Sequence, residues 1–93
     1  MFYIYHQNNS SGYFIQNEKV DLCVIIEALS QESANIIAEK ELGMYFDGVR
    51  KGMDCPCCGD RWIRAYTEKR TLEEYKYYPE ETKIYRLDWS DLK

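Results

Sequence analysis

The run Leu22-Cys23-Val24-Ile25-Ile26, followed after three intervening residues by Ser30-Gln31-Glu32-Ser33-Ala34, couples a strand to a helix. The apolar run is too short for a helix and too continuous for a half-exposed strand. It predicts a central strand buried on both faces. Ser30 is placed to cap a helix whose first turn carries Glu32, where a negative charge suits the positive end of the helix dipole. Ala34, Ile37, Ala38 and Leu42 then fall on one apolar stripe, and Gly43 supplies the stop.

Working outward, Met1 to His6 is rich in aromatic and β-branched residues and reads as a strand. Asn8-Asn9-Ser10-Ser11-Gly12 is a turn cluster, and Tyr13 to Gln16 reads as a returning strand. A hairpin with a loop of roughly 4–5 residues is expected there. Downstream, Met44-Tyr45-Phe46 reads as a short strand ending at Asp47-Gly48, with a loop from Val49 to Arg61. Trp62 to Thr67, Tyr75 to Tyr78 and Lys83 to Leu87 are further strand candidates. The sum is one α+β domain over 1–93, an antiparallel or mixed sheet of about five to six strands with one main helix on a face. Edges bearing aromatic side chains invite a second copy of the chain, so a homo-oligomer is expected.

Composition limits what this domain can do. Its 93 residues are 45% hydrophobic, 30% charged and 15% aromatic, with nine tyrosines, which is globular rather than disordered. A chain of this size has room for one core and favours a compact binding module over a large multi-step active site. With 12 Lys+Arg against 16 Asp+Glu, the net charge of -4 argues against a general nucleic-acid binder. No apolar run approaches the roughly 20 residues that cross a bilayer. No basic-then-apolar leader opens the sequence, so the four cysteines are expected in a reducing compartment, free or metal-bound.

The segment richest in chemistry is Asp54-Cys55-Pro56-Cys57-Cys58-Gly59-Asp60-Arg61-Trp62. Cys55 and Cys58 stand in the spacing of a zinc knuckle, whose proline and glycine shape a turn that aims two thiolates at one ion. A knuckle supplies two ligands of four, and no second such pair follows. Cys23 and His6 complete a site only if the fold brings them close, and Cys57 is not expected to share the ion. A metal-free rigid turn fits the same residues, since free cysteines pack as small hydrophobes. In Asp60-Arg61-Trp62, the arginine fork suits phosphate and the indole suits a stacked base. A salt bridge beside a core tryptophan is the plainer reading.

Residues 1 to 17 carry no formal charge, yet hold Phe2, Tyr3, Tyr5, Tyr13 and Phe14. Tyr3 and Tyr5 alternate with Phe2 and Ile4, so one hairpin face is expected to be core and the other aromatic and hydroxyl-bearing. Such a surface suits a flat base and sugar hydroxyls. Ordinary sheet packing accounts for the same residues. Asp47-Gly48 suits ribose or a routine turn. His6 has no evident nucleophile beside it.

Tyr5-His6-Gln7-Asn8-Asn9-Ser10, Val24-Ile25-Ile26-Glu27-Ala28, Tyr45-Phe46-Asp47-Gly48 and the Asp54-to-Trp62 cysteine block together resemble a family of small tailed-phage proteins. Most members of that family are known only as domains of unknown function. The resemblance covers about residues 2 to 65 and departs at the turn, where Ser11-Gly12 replaces the family's Gly-Gly. It implies the cytoplasm of an infected bacterial host. It further implies a role against host defence, in the manner of small phage proteins that sequester cyclic ADP-ribose-like or cyclic dinucleotide signals of Thoeris- or CBASS-type systems.

The expectation is therefore a non-enzymatic protein that binds a nucleotide signal. Tyr3, Tyr5, Tyr13 and Trp62 would enclose the base, Arg61 and Arg64 the phosphate, and Asn8, Asn9, Ser10 and Asp47 the ribose. The alternatives are a protein–protein inhibitor of a host defence enzyme and a small zinc-stabilised interaction module.

Overall fold

A computed structural model describes residues 1–87 as an α+β unit with a three-stranded mixed sheet and one helix. The sheet order is β1 (Phe2–His6), β2 (Cys23–Glu27), β3 (Thr82–Tyr85). β1 runs antiparallel to β2, with Tyr3 opposite Ile26 and Tyr5 opposite Val24. β3 runs parallel to β2, with Cys23 opposite Thr82 and Ile25 opposite Ile84. The helix α1 (Gln31–Glu41) follows β2 directly.

The expected central strand is there, and its alternation explains the fold. Val24 and Ile26 point into the main core with Tyr3, Tyr5, Ala34, Ala38, Leu42, Phe46 and Trp62. Cys23 and Ile25 point the other way, into a second core with Phe2 and Ile4, against which Leu72, Tyr75, Tyr77 and Ile84 pack. The sheet is thus covered by α1 on one face and by the 72–77 segment on the other. That is why β1 and β2 carry apolar or aromatic residues on both faces. The helix signals are also as expected: Ser30 Oγ accepts a hydrogen bond from Ser33 N at 3.0 Å, and Gly43 takes a φ of +71° just past the end.

The count of five to six strands is corrected to three among the described residues. Tyr13 to Gln16 does not return as a strand, because β2 takes the place beside β1. The Gln7 side chain satisfies that segment instead, accepting from Ile15 N at 2.6 Å and donating to the carbonyls of Ile15 (2.9 Å) and Asp21 (3.0 Å). The expected hairpin is a wide loop with a 3-10 turn at Ser10–Gly12. Trp62 to Thr67 is not a strand either. Its Ala65 N donates to Asn35 Oδ1 of α1 at 3.1 Å, and Gln31 Nε2 donates to Ala65 O. Met44 to Phe46 and Tyr75 to Tyr78 also lie outside any strand. The outer edge of β1 is partly closed by a two-way exchange between Phe2 and Lys69 (2.7 and 3.0 Å).

Candidate functional site

The cysteine turn is held by a rigid frame that begins at Asp47, a left-handed residue (φ 59°), and Gly48. The Gly48 carbonyl accepts from Met53 N (2.8 Å) and Asp54 N (3.0 Å), closing a tight loop over residues 48–54. A side chain at position 48 would place its Cβ 1.8 Å from Asp54 Oδ2, so only glycine fits. Asp54 is buried, accepting from Tyr45 Oη and from Arg61 N, each at 2.8 Å.

Arg61 is the centre of this frame. It is 2% exposed, and its guanidinium donates to Tyr45 Oη (3.0 Å), Gln7 Oε1 (3.0 Å), Tyr13 O (2.7 Å) and Ser10 O (2.7 Å). Asp54 Oδ1 lies 3.9 Å from its Nε, and the Tyr13 ring lies 4.6 Å from its central carbon. A buried charge persists only when paired and hydrogen-bonded, and this arginine has both. It welds the neutral 7–13 loop to the cysteine loop. The carboxylate beside the guanidinium is Asp54 rather than the expected Asp60, whose Oδ1 instead accepts from Val49 N at 2.8 Å.

Between these anchors the turn itself is tight. Cys55 O accepts from both Cys58 N and Gly59 N at 3.1 Å. Gly59 has a φ of +87°, where a Cβ costs strain. From the other side, Asn8 Nδ2 donates to Cys58 O (2.6 Å) and Asp60 O (3.3 Å), while Asn8 N donates to Arg61 O at 2.9 Å. The result gathers three thiols: Cys55 and Cys57 Sγ are 2.8 Å apart, Cys57 and Cys58 Sγ 3.8 Å, and all three lie within 4.8 Å of one another. Cys55 is half-buried, and Cys57 and Cys58 face solvent.

The thiols divide their proton affinity. Hydrogen bonding from Cys57 and from the backbone of Cys57 and Cys58 pulls the Cys55 thiol below its ordinary value. Cys57 is pushed up to about 11, chiefly by its hydrogen bonds with Cys55 and Cys58 and then by their charge. Of this hydrogen-bonded pair, Cys55 is therefore the more acidic thiol. Sequence reasoning set Cys57 aside; the fold makes it the middle member. Three thiols within four residues, on a turn forced by Pro56 and Gly59, was the available signal. His6 and Cys23 stand opposite each other across β1 and β2 and do not join the cluster. Burial holds the Cys23 thiol up at about 11.

The other expected ligand contacts fall in different places. Tyr3, Tyr5 and Trp62 are buried in the main core, with Tyr5 Oη donating to Asn35 Oδ1 at 2.8 Å. Both faces of β1 are covered, so the expected open aromatic face is absent. Ser10 is fully buried, and among the described residues its hydroxyl has no hydrogen-bond partner. Asn9 is exposed, and Tyr13 is 57% exposed. Asp47 Oδ2 pairs with Arg64 (2.8 Å) and Arg50 (3.1 Å), and Arg64 lies over the Phe46 ring at 5.2 Å. Asn8, Ser10 and Tyr13 do converge on Arg61, Ser10 and Tyr13 through carbonyls that accept from the guanidinium and Asn8 through the Arg61 backbone carbonyl.

The family model for a domain of unknown function, DUF7296, matches residues 1–91. The chain belongs to the DUF7296 family. In this DUF7296 chain the matched range contains the sheet, the helix and the whole cysteine frame. Comparison with curated proteins and with solved structures returned no match. Among the described residues, no helix is long and apolar enough to cross a membrane.

Proposed function

We propose that this chain is a small non-catalytic interaction module whose cysteine loop holds a thiophilic metal ion. One observation carries the reading: three sulfur atoms within 4.8 Å of one another, on a turn braced from both sides by Asn8, Asp54 and Arg61. Thiolates are the ligands that zinc and softer metals prefer. Zinc, the ion expected from the knuckle spacing, is one such ion. The ion would tie the exposed tip of the loop to the buried frame and fix the surface around it for a partner. Metal analysis of protein purified under reducing conditions tests this. About one ion per chain, lost on changing Cys55→Ser, supports the reading. Metal-free protein that takes up no thiophilic ion on titration rejects it.

A second reading is favoured by Tyr13. Its ring rests on the Arg61 guanidinium while more than half of the residue stays open, which makes a platform for a stacked base. Exposed Asn9 lies nearby in the chain, and the Asp47–Arg64 pair offers a carboxylate and a half-exposed guanidinium. In this reading the protein sequesters a nucleotide signal in an infected cell, at the surface rather than in an aromatic pocket. Calorimetric titration with cyclic ADP-ribose and cyclic dinucleotides decides it. Micromolar binding lost in Tyr13→Ala supports it, and the absence of binding by folded protein removes it.

A further inference from the structure

We propose that Cys55, Cys57 and Cys58 form a three-coordinate, all-thiolate site for a soft monovalent cation of the copper(I) class. The inference rests on the metal-holding reading above and specifies which ion the loop takes. The cluster offers three sulfurs and nothing else: among the described residues, no histidine, carboxylate or fourth thiol joins it. The neighbouring acids are committed elsewhere. Asp54 accepts from Tyr45 Oη and Arg61 N, and Asp60 Oδ1 accepts from Val49 N. His6 and Cys23 sit together at one end of β1 and β2.

Structural zinc sites close a tetrahedron with four protein ligands. Iron–sulfur clusters take four cysteines. A copper(I) ion has a filled d shell, favours soft donors, and is satisfied by three thiolates in a plane. Metal–sulfur bonds of about 2.3 Å require sulfurs roughly 3.8–4.0 Å apart. The Cys57–Cys58 separation of 3.8 Å already meets this, whereas Cys55 and Cys57 must part from 2.8 Å. Rotation of the exposed Cys57 side chain supplies that change without disturbing the turn.

The exposure of two of the three ligands has a chemical meaning as well. An incoming thiolate from a carrier can reach the ion while it is still bound, so the ion can be passed on by ligand exchange without unfolding. Binding releases the remaining thiol protons to solvent, and uptake therefore strengthens as pH rises.

The test uses the full chain, reduced with a phosphine and stripped of metal. It is titrated with copper(I) against a chromophoric copper(I) chelator, and separately with zinc against a zinc dye. The expected result is one copper(I) per chain with a near-ultraviolet sulfur-to-copper band and three sulfur neighbours by X-ray absorption. Cys57→Ser is expected to abolish the one-to-one endpoint while leaving the circular dichroism spectrum intact, and Cys23→Ala to retain the endpoint. Tighter zinc binding with a four-coordinate cobalt(II) spectrum would overturn the copper(I) assignment and leave the metal-holding reading standing. Copper(I) uptake unchanged in Cys57→Ser would also overturn it. Failure to bind either ion would remove both.

Discussion

Replacing Arg61 is the sharpest test of the frame that carries the cysteine loop. Arg61→Ala removes four side-chain hydrogen bonds at once, to Tyr45, Gln7, Tyr13 and Ser10. Gln7 Oε1 keeps its bond from Ile15 N, and Asp54 keeps those from Tyr45 and the backbone at 61. The carbonyls of Ser10 and Tyr13 lose their guanidinium donor, and the buried Asp54 carboxylate loses its countercharge. Breaking a buried ion pair from one side costs about 3–5 kcal/mol, and an orphaned buried acceptor about 1–3 kcal/mol. These terms overlap, so a loss of about 4–5 kcal/mol is expected, a large part of the ~5–15 kcal/mol that holds a domain together. Arg61→Lys keeps the charge but not the planar fork, and should lose about 2–3 kcal/mol. Urea unfolding followed by circular dichroism measures both. If Arg61→Ala unfolds within about 1 kcal/mol of the unaltered chain, the guanidinium is not the internal hub described above.

Three further outcomes follow from the same geometry. Gly48→Ala drives a methyl group into the Asp54 carboxylate and should cost about 1–3 kcal/mol or more in the same urea assay. The Arg64 hydrogen bond holds the Asp47 carboxyl below its ordinary 3.8. That contribution is fully present above the unfolded value and lost as pH falls through the folded one. Asp47→Asn should therefore flatten the acid limb of stability against pH below about 4. Brief alkylation at neutral pH, mapped by mass spectrometry, should label Cys55 and leave Cys23 unlabelled. The Cys55 thiol is held below its ordinary value, while that of Cys23 is buried and held at about 11.

The sequence made the centre of the fold readable and its periphery much less so. Val24 and Ile26 on one side of β2, with Cys23 and Ile25 on the other, follow from an uninterrupted apolar run. Ser30, the Ala34–Ala38 stripe and Gly43 announce α1 through local chemistry alone. Two of the missing strands, at Tyr13–Gln16 and Trp62–Thr67, share one cause: side chains replaced backbone partners. Gln7 satisfies the segment at Ile15, and Asn35 and Gln31 satisfy the segment at Ala65. Nothing in local propensity distinguishes an extended segment paired to a strand from one paired to amides. Arg61 is ambiguous in sequence for a related reason. A phosphate-gripping fork and an internal clamp have the same sequence, and only the convergence of Ser10, Tyr13, Gln7 and Tyr45 tells them apart. The chemical importance of the Asp54-to-Trp62 block was legible, but the role of Cys57 depended on how Pro56 and Gly59 fold the turn.

The parallel pairing of β2 with β3 also bears on how the protein reaches this state. Cys23 meets Thr82 only after the long intervening stretch from β2 to β3 has been synthesised. On the ribosome, the β1–β2 pair and α1 can assemble early, but Ile25 and Ile4 stay uncovered until Leu72 and Tyr75 arrive. Such late, distant contacts slow folding and leave an apolar sheet face open in the meantime. During that interval the nascent protein is most exposed to chaperones and to its own neighbours. Any truncation upstream of Leu72 would make that passing vulnerability permanent.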